Sequence, residues 1–497
     1  MDITGNEAII GTGSLASAAR AYPRLVRPRT PTPSIRRNWS GTLGNTLLEM
    51  PWLVWCAFDL LAVTIGLYTG YHWVVWTGGA TWVEFGWSQT WLMLAPAFML
   101  SGMVFGLYEQ QTLLRRSKII ARSLLTITAA VTLTYIVITL FMYSMPSRRV
   151  LFLAGGVYLC CCLPMRLMVG WSIRNHNRRF LIVGTDRRSR LAPTGMGEGL
   201  SQRYRLVGYV STDQLEVGKI IDGNRVLGTV DDIEMLCLDH GIDEVVVGYV
   251  PMKNPRMVDQ TLGCLKLGCR VTNLSTFYEQ VLSEVPVSHL EPTWFLFADL
   301  KHYREAQLIM KRGIDIAGAV LGLLVTLPFW PIIALLIKLD SAGEVFYRQQ
   351  RVGLNGRVFT LYKFRTMHNG AERNGVVWAE QNDPRITRVG WYLRKTRLDE
   401  LPQLWNILIG HMAIVGPRPE RPEFVESLAD QIRFYNERHL IKPGLTGWAQ
   451  INYRYGASVE DARRKLQLDL WYIKHMSIEL DLSIVFRTLG TLCLGSR

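Results

Sequence analysis

The chain of 497 residues carries 55 Lys and Arg against 41 Asp and Glu, which gives a formal net charge of +14. Apolar residues make up 49% and charged residues 19%, below the roughly 25% of charged residues in ordinary soluble chains. Together with 16 Trp and a mean hydropathy of +0.12, this composition excludes a wholly disordered and a wholly soluble protein. The length fits about three domains.

The N-terminal segment, residues 1–45, is rich in Arg, Pro, Ser and Thr. Such a segment cannot bury enough apolar surface to offset the chain entropy that folding would cost. We therefore expect these residues to form a disordered cytoplasmic tail.

Four apolar segments follow, each near the roughly 20 residues that a helix needs to cross a bilayer. They lie near 51–74, 89–108, 119–143 and 150–171 and predict a four-helix transmembrane bundle over 46–174. Basic residues precede the first segment, separate the second from the third and follow the fourth, so the positive-inside rule places both ends of the bundle in the cytoplasm. The bundle also offers a membrane surface through which a homodimer could form. For Asp59, inside the first segment, we expect a hydrogen bond to another helix.

Short β-branched runs alternate with polar helical stretches between residues 178 and 290, as in "RRFLIVG", "RLVGYV", "DEVVVGYV" and "CRVTNL". This alternation predicts a small, parallel, Rossmann-like α/β module. A dinucleotide fold would carry G-x-G-x-x-G after its first strand, whereas only Gly184 is present here, followed by Asp186 and Arg187. We predict a structural or regulatory module without a bound cofactor; an NAD-dependent sugar-modifying site in this module is the alternative.

A second kind of apolar segment extends from about 309 to 339 and has Pro328 and Pro331 in its middle. Proline removes a backbone donor and clashes with the preceding turn, so this helix should bend sharply. Because basic residues stand at both ends, a bent helix could enter and leave the membrane by the same side. We expect a re-entrant helix; the alternative is an ordinary kinked transmembrane helix.

The C-terminal part is dense in basic residues that alternate with Gly and Pro turns and with aromatic residues. Two strands are predicted around the turn "GLNG", and they carry Arg348, Arg351, Lys363 and Arg365. A nucleic-acid surface would not need an apolar, proline-bent anchor beside it, so we do not expect nucleic acid as a partner. Anionic substrates at the surface of membrane lipid fit better, namely a nucleotide diphosphate and a lipid phosphate.

Asp399 and Glu400 are neighbours in "KTRLDELPQL", where Thr396 predicts a capping box that opens a helix. Adjacent side chains on a helix point about 100° apart, so one carboxylate can face a phosphorus atom while the other holds a divalent cation. The helix dipole would keep Asp399 ionised, which suits a nucleophile that forms an acyl phosphate. The alternative is that the pair only caps the helix.

Seven motifs occur in order between about Lys311 and Leu489: "KRGIDI", "QQRVG", "LYKFRTM", "NDPRIT", "LDELPQLWNIL", "VGPRPE" and "KPGLTGWAQI". By these motifs the stretch resembles the bacterial sugar transferase family, the monotopic polyprenyl-phosphate phosphoglycosyl transferases. The resemblance implies a C-terminal α+β catalytic domain over 303–497 that includes the re-entrant helix. The preceding spans and α/β module look like the N-terminal extension of the long members, which start exopolysaccharide, capsule or O-antigen repeat units.

The resemblance further implies a ping-pong reaction at the cytoplasmic face of the bacterial inner membrane. Asp399 would attack the β-phosphate of a UDP-sugar, release UMP and hold a phosphosugar that undecaprenyl phosphate then accepts. Glucose or galactose is the expected sugar, and an N-acetylaminosugar is the alternative. Glu400 would bind Mg²⁺. Two further residues are expected to be catalytic and three to bind substrate: Lys363 and Arg394, and Arg365, Arg418 and Asp469.

Two positions depart from the family pattern. Leu327 precedes Pro328 where the family often has Ser, which removes a side-chain hydrogen bond for the broken backbone, although Pro331 adds a kink of its own. His411 stands in "GHMA" where the family usually has Gly-Asp-Met-Ser, which places a titratable group near the active helix. A catalytically inactive regulatory membrane protein is the alternative outside the enzyme class, and the intact carboxylate pair argues against it.

Overall fold

The described part of the chain covers most of the sequence after the predicted tail. The computed structural model describes residues 52–79, 87–108, 110–113, 115–141, 148–175, 178–186, 189, 204–248, 255–287, 290, 294–295, 305–371, 383–453, 456 and 458–494. The predicted tail over residues 1–45 lies outside these ranges.

Four apolar helices come first, as the apolar segments predict. They are α1 (Trp52–Val74), α2 (Trp87–Val104), α3 (Arg116–Phe141) and α4 (Arg148–Asn175). By length and composition α1, α3 and α4 can cross a membrane, and so can the later helical segment Ala306–Asp340. The second predicted span differs, because α2 contains Pro96 and its apolar stretch, Thr90–Val104, is shorter than a full crossing.

The four helices pack in pairs, α1 against α4 and α2 against α3. The fully buried rings of Phe98 and Tyr158 join the pairs, with centroids 4.6 Å apart. At Gly66 a Cβ would come within 2.9 Å of the backbone of Ala154. The glycine therefore lets α1 and α4 approach closely.

Asp59 is paired across this bundle. Its Oδ2 lies 2.5 Å from Nη2 of Arg166 in α4, and each side chain is only 1% exposed. The expected bond from Asp59 to another helix is confirmed, and its partner is a cation. Removal of either residue would leave an uncompensated buried charge, so this pair ties α1 to α4.

A six-stranded sheet follows the membrane helices, in the order β3-β4-β2-β1-β5-β6. Its strands are β1 (Arg178–Val183), β2 (Tyr204–Ser211), β3 (Ile220–Ile221), β4 (Asn224–Thr229), β5 (Glu244–Val247) and β6 (Arg270–Asn273). Every neighbouring pair is parallel except the edge pair of β3 and β4. The four predicted strands are confirmed; β3 and β4 are additional, because β3 has only two residues and β4 mixes polar with apolar residues.

Three helices cover the two faces of this sheet. They are α5 (Ile233–His240), α6 (Pro255–Lys266) and α7 (Leu274–Leu282). Leu181 and Val183 of β1 pack on the α5 and α6 side, whereas Phe180 and Ile182 pack on the α7 side, as the alternation of a strand requires. Apolar membrane-length helices together with a mixed α/β layer confirm this part of the expected fold class.

The C-terminal part is an α+β assembly built around a bent helix. Its elements are α8 (Glu305–Thr326), α9 (Trp330–Asp340), β7 (Phe346–Val352), β8 (Val358–Phe364), α10 (Arg388–Lys395), α11 (Gln403–Ile409), β9 (Ala413–Val415), α12 (Pro422–Gln431), β10 (Gly444–Thr446), α13 (Trp448–Asn452), α14 (Val459–His475) and α15 (Ile478–Leu494). A 3-10 turn, Leu327–Phe329, interrupts the helix between α8 and α9 at the predicted Pro328. Strands β7 and β8 form the predicted hairpin around "GLNG".

The α/β module contacts the C-terminal part through α7. The side chain of Glu279 accepts a hydrogen bond from Lys474 Nζ at 2.7 Å, and its backbone carbonyl accepts one from Trp471 Nε1 at 3.1 Å. A second ion pair joins Arg464 and Glu284 at 2.8 Å. These contacts fix helix α14 from one side, and the opposite side of α14 supports the site described next.

Candidate active site

The two neighbouring carboxylates lie in a short 3-10 turn, Leu398–Glu400, and not at the start of an α-helix. The predicted capping box is wrong, because Thr396 ends the preceding helix: its Oγ1 donates to the carbonyl of Tyr392 at 2.8 Å. Arg397 then takes a left-handed backbone conformation with φ of 56°, which reverses the chain before the turn. Asp399 and Glu400 therefore sit in a connection between α10 and α11.

Asn406 in α11 places this connection beside strand β8. The Asn406 side chain is fully buried; its Nδ2 donates to the carbonyl of Thr360 at 2.7 Å, and its Oδ1 accepts from the amide of Tyr362 at 3.1 Å. Both bonds are made to backbone groups of β8, so they fix the position of α11 along this strand. The next residue on the strand, Lys363, is thereby brought to the carboxylates.

Glu400 is surrounded by three cations. Its Oε1 accepts from Arg418 Nη2 at 2.9 Å and from Lys363 Nζ at 3.4 Å, while its Oε2 lies 3.9 Å from Arg397 Nη1. Burial alone would raise the pKa of Glu400, but the charges of Arg418, Lys363 and Arg397 outweigh burial and hold this pKa well below its usual range. Glu400 is therefore a permanent anion at neutral pH.

Asp399 experiences a different environment, although it is equally buried at 8% exposure. Burial raises the pKa of Asp399, and the negative charge of Glu400 adds to the increase, whereas the charge of Lys363 opposes it. This direction differs from the expected effect of a helix dipole, since no α-helix begins at Asp399. Two adjacent carboxyl groups with pKa values pushed apart can take different chemical roles.

Lys363 and Arg418 complete this charge cluster. Burial lowers the pKa of Lys363, the charge of Glu400 opposes that effect, and Arg418 adds to it. The pKa of Arg418 is raised chiefly by the negative charge of Glu400. A fixed guanidinium and a mostly buried ammonium beside two carboxylates suit the charge of a diphosphate.

The predicted residue Asp469 lies behind this cluster and is 1% exposed. Its Oδ2 accepts from Arg438 Nη2 at 2.8 Å, and the same nitrogen donates to the backbone carbonyl of Arg418 at 3.0 Å. Burial raises the pKa of Asp469 to about 6, against the charge of Arg438. The described contacts make Asp469 a support for the backbone of Arg418.

The two remaining predicted residues are Arg394 and Arg365, whose described hydrogen bonds go to groups outside the carboxylate pair. Arg394 Nε donates to Thr366 Oγ1 at 2.9 Å, and the charge of Arg394 partly opposes the rise in the pKa of Asp399 that burial causes. Arg365 is directed to the end of α9, where its Nη1 and Nη2 donate to the carbonyls of Ala342 and Ser341 at 2.8 and 2.6 Å. Arg394 thus belongs to the carboxylate cluster, and Arg365 to the exit of the bent helix.

Three residues of this arrangement were not predicted: Arg397, Asn406 and Arg438. Arg397 and Asn406 lie within or next to the motif "LDELPQLWNIL", so their proximity was visible in the sequence, but their contacts were not. Arg438 lies outside the seven motifs, and only its complete burial beside Asp469 distinguishes it from a surface arginine. His411 is exposed, with its ring 5.6 Å from that of Phe359.

A metal ion at this site would have to rely on few protein ligands. Among the described residues no group of three or more His, Cys, Asp or Glu side chains is arranged to hold one. Mg²⁺ does not require such a group, because it commonly binds one or two carboxylates together with substrate phosphates and water. Within the part of the chain that the structure describes, Glu400 Oε2 has only the long contact to Arg397, so this oxygen fits the requirement.

The edge of the sheet where a Rossmann-like fold would bind a nucleotide holds a carboxylate. Glu216 Oε2 accepts from Thr185 Oγ1 at 2.5 Å, just after β1, and from Ser211 Oγ at 2.6 Å, at the end of β2. The phosphates of a nucleotide would approach this same edge. A negative charge there opposes them.

Two families match this chain. Residues 306–495 match the family described as bacterial sugar transferase, and residues 103–267 match the family described as CoA-binding domain. The described residues around Glu216 do not fit the phosphates of coenzyme A, for the reason just given. The first match covers the carboxylate cluster and the bent helix.

The curated relatives that are similar to the chain include the following three proteins. The UDP-N-acetylgalactosamine-undecaprenyl-phosphate N-acetylgalactosaminephosphotransferase of Aeromonas hydrophila is 41% identical over 227 residues, which are 43% of this chain and 54% of the relative. The undecaprenyl-phosphate glucose phosphotransferase of Komagataeibacter xylinus is 33% identical over 319 residues, 63% of this chain and 58% of the relative. The exopolysaccharide production protein PSS of Rhizobium leguminosarum bv. phaseoli is 42% identical over 190 residues, 36% of this chain and 94% of the relative.

The chain thus spans little more than half the length of the first two relatives and nearly all of the third. The similarity to the third relative, the match over 306–495 and the clustering of the motif residues around Asp399 and Glu400 agree with one another. The chain belongs to the bacterial sugar transferase family.

Proposed function

We propose that this protein transfers a sugar 1-phosphate from a UDP-sugar to undecaprenyl phosphate, which yields undecaprenyl-diphospho-sugar and UMP. The observation that carries the proposal is the buried pair Asp399 and Glu400 among the cations Lys363, Arg397 and Arg418. Phosphoryl transfer depends mainly on positioning and on neutralising charge, and this cluster offers both. The names of the relatives support undecaprenyl phosphate as acceptor.

In the first half of the reaction, a carboxylate oxygen of Asp399 attacks the phosphorus that bears the sugar. The bond from this phosphorus to the bridging oxygen breaks, and UMP leaves with the bonding electrons. The product is an acyl phosphate that links Asp399 to the sugar. Lys363 and Arg418 are placed to neutralise the negative charge that develops on the phosphate oxygens.

In the second half, an oxygen of the acceptor phosphate attacks the same phosphorus. The bond to the Asp399 oxygen breaks, which frees the carboxylate and leaves a diphosphate between lipid and sugar. Neither step adds a net proton to the enzyme, so no dedicated general acid is required. Bound Mg²⁺ would supply further positive charge to the diphosphate, and Glu400 would hold it. The predicted Mg²⁺ dependence and the predicted homodimer stay predictions.

We further propose that the bent helix is re-entrant. Both of its arms contact the same C-terminal assembly: Ala319 of α8 packs with Leu404, and Ile333 and Ile337 of α9 pack with Phe364. A straight helix of 35 residues would separate its ends by about 50 Å, more than a bilayer core. Exposed apolar side chains crowd the bend, with Leu324 at 68% and Phe329 at 58% exposure, and lipid is the solvent that suits them.

The orientation of the site follows from this insertion. Both ends of a re-entrant helix lie on one side, and the basic residues that follow α4, Arg178 and Arg179, favour the cytoplasm for the part of the chain after the membrane helices. UDP-sugars are cytoplasmic, so donor and carboxylate pair would meet there. We therefore propose an inner-membrane protein with a cytoplasmic catalytic domain.

The reaction is tested by UMP release from the detergent-purified protein with Mg²⁺ and undecaprenyl phosphate. UDP-glucose, UDP-galactose and UDP-N-acetylgalactosamine are compared, because the relatives' names divide between glucose and N-acetylgalactosamine. We expect sustained release with one donor, and only a single turnover when the lipid is omitted. Absence of UMP with all three donors would contradict the proposal.

A further inference from the structure

A groove of about 570 Å³ opens where helix α9 ends and strand β7 begins. Residues from three consecutive parts of the chain line it: the last turn of α9, the following loop with β7, and the end of β8. Its charged and aromatic lining residues are Lys338, Glu344, Phe346, Tyr347, Arg348 and Arg365. Of these residues, Arg365 has a role above, as a substrate-binding residue implied by the resemblance.

The groove lies at the membrane surface in the re-entrant arrangement proposed above. Leu335 and Leu339, which flank Lys338 on the last turns of α9, are 59% and 75% exposed and would face acyl chains. Lys338 itself is exposed at the edge of this apolar surface, where a lysine places its ammonium among headgroups. The opening is thus at the depth of lipid phosphates.

The charge of the groove is +2, from Lys338, Arg348 and Arg365 against Glu344. Among the described residues neither Lys338 nor Arg348 forms an ion pair within 4 Å. A phosphate monoester carries close to two negative charges at neutral pH, whereas the phosphodiester of a bilayer phospholipid carries one. The groove matches the monoester.

Arg365 is the most specific feature of the groove. It is only 8% exposed, and its two terminal nitrogens donate to backbone carbonyls of residues 341 and 342, while its buried Nε has no hydrogen-bond partner among the described residues. The guanidinium lies against Gly343, where a Cβ would come within 2.0 Å of Nη1, and Gly343 has a φ of 126° that favours glycine. A buried N–H group without a partner, such as the Nε–H of Arg365, normally has an acceptor in the working state of a protein.

The groove shares the hairpin of β7 and β8 with Lys363 of the carboxylate cluster. Tyr347 in its wall is the cross-strand partner of Lys363, so their Cα atoms are about 5 Å apart. Lys363 contacts Glu400, and Arg365 follows Lys363 by two residues. The groove thus lies beside the strand that carries Lys363, although its lining residues do not include Lys363, Asp399 or Glu400.

We propose that this groove binds the phosphate monoester of the polyprenyl acceptor, with Arg348, Arg365 and Lys338 as its cationic contacts. This inference rests on the proposed function, since it assigns the acceptor side of that reaction. The polyprenyl chain of the acceptor would lie along the exposed face of α9. The acceptor phosphate would stay bound in the groove until UMP has left. The acceptor then has a site distinct from that of the nucleotide.

The double variant Lys338→Gln/Arg348→Gln tests the proposal, with Arg357→Gln as the control because Arg357 is an exposed arginine at the opposite end of the same hairpin. We expect the double variant to form the phosphosugar adduct at the wild-type rate when lipid is absent. Its KM for undecaprenyl phosphate should rise by about tenfold or more, since two charged contacts to phosphate are lost. The control should match the wild type in both measurements.

An unchanged KM for undecaprenyl phosphate in the double variant would overturn the proposal. Direct binding of undecaprenyl phosphate in detergent, followed by native mass spectrometry, separates this inference from the function itself: weaker binding by the double variant supports the groove even if no variant forms an adduct. Competition identifies the source of the phosphate. Displacement by phosphatidylglycerol or by inorganic phosphate at equal concentration would show a phospholipid or free-phosphate site and would also overturn the proposal.

Discussion

At the scale of single residues, the site depends on the different pKa values that burial and nearby charges give to the adjacent carboxyl groups of Asp399 and Glu400. Glu400 receives the direct contacts of Arg418 and Lys363, so the pKa of Glu400 falls. Asp399 is also buried, but the nearby positive charges do not offset the effect of burial, so the pKa of Asp399 rises. A carboxylate with fewer strong contacts is the better nucleophile, which agrees with the assignment of the covalent role to Asp399.

Lys363 provides a direct test of this difference. Its positive charge lowers the pKa of Asp399, so Lys363→Met should raise that pKa further, and the acid limb of the pH profile for adduct formation should move to higher pH. The rate at neutral pH should fall by about 100-fold, the usual cost of removing one charge-stabilising group. Lys363→Arg keeps the charge and should leave the acid limb near its wild-type position. Stopped-flow or quenched measurement of UMP release in a single turnover gives both quantities; an acid limb that moves to lower pH in Lys363→Met would contradict the electrostatic account.

The sequence motifs identified the residues of this cluster and, by resemblance, their expected roles, but not the contacts that give the two carboxyl groups different pKa values. Asp399, Glu400, Lys363 and Arg418 could be assigned by resemblance. The burial of Asp469 behind Arg418 could not, because its partner Arg438 is 31 residues away and outside the motifs. Contacts of this kind arise only when the chain is folded.

At the scale of elements, the bend between α8 and α9 is a feature that the local sequence is sufficient to predict. Pro328 and Pro331 predict an interruption, and the 3-10 turn Leu327–Phe329 confirms it. The turn at Arg397 shows the opposite case. An arginine such as Arg397 rarely adopts the left-handed conformation. The sequence therefore did not indicate that Thr396 would end one helix and not begin another.

Re-entry itself predicts which side of the membrane the two ends of the bent helix face. Gln307, at the start of α8, and Ala342, just after α9, are exposed positions for single cysteines. In a background without the native cysteines, Gln307→Cys and Ala342→Cys should both react with a membrane-impermeant maleimide in inside-out vesicles and remain unreactive in intact spheroplasts. Lys395→Cys, on the catalytic domain, is the control for the cytoplasmic side. Labelling of the two ends from opposite sides would show a spanning helix.

At the scale of the whole molecule, three kinds of structure meet at the C-terminal assembly. Helix α15 packs against α2, and α7 of the sheet module holds α14 through Glu279. On its other side α14 carries Asp469, which supports the backbone of Arg418 through Arg438. Helix α14 thus connects the α/β module to the candidate active site.

Hydropathy and periodicity predicted the membrane helices and the α/β module, whereas the α+β fold of the C-terminal part was an expectation from the family resemblance. The contacts between them were not predictable, because residues such as Glu279 and Trp471 are far apart in sequence and carry no motif. The short strands β3 and β4 were missed for a related reason: their pairing at the sheet edge, more than their residues, makes them strands.

The central claim is that Asp399 carries the phosphosugar, and intact-protein mass spectrometry tests it most directly. Wild-type protein incubated with its UDP-sugar and no lipid acceptor should gain the mass of one sugar phosphate, and peptide mapping should locate the increment on Asp399. The increment should disappear in Asp399→Asn and on addition of undecaprenyl phosphate to the wild type, while Glu400→Gln should form it only slowly and remain folded. An increment that persists in Asp399→Asn would place the nucleophile elsewhere and contradict the account.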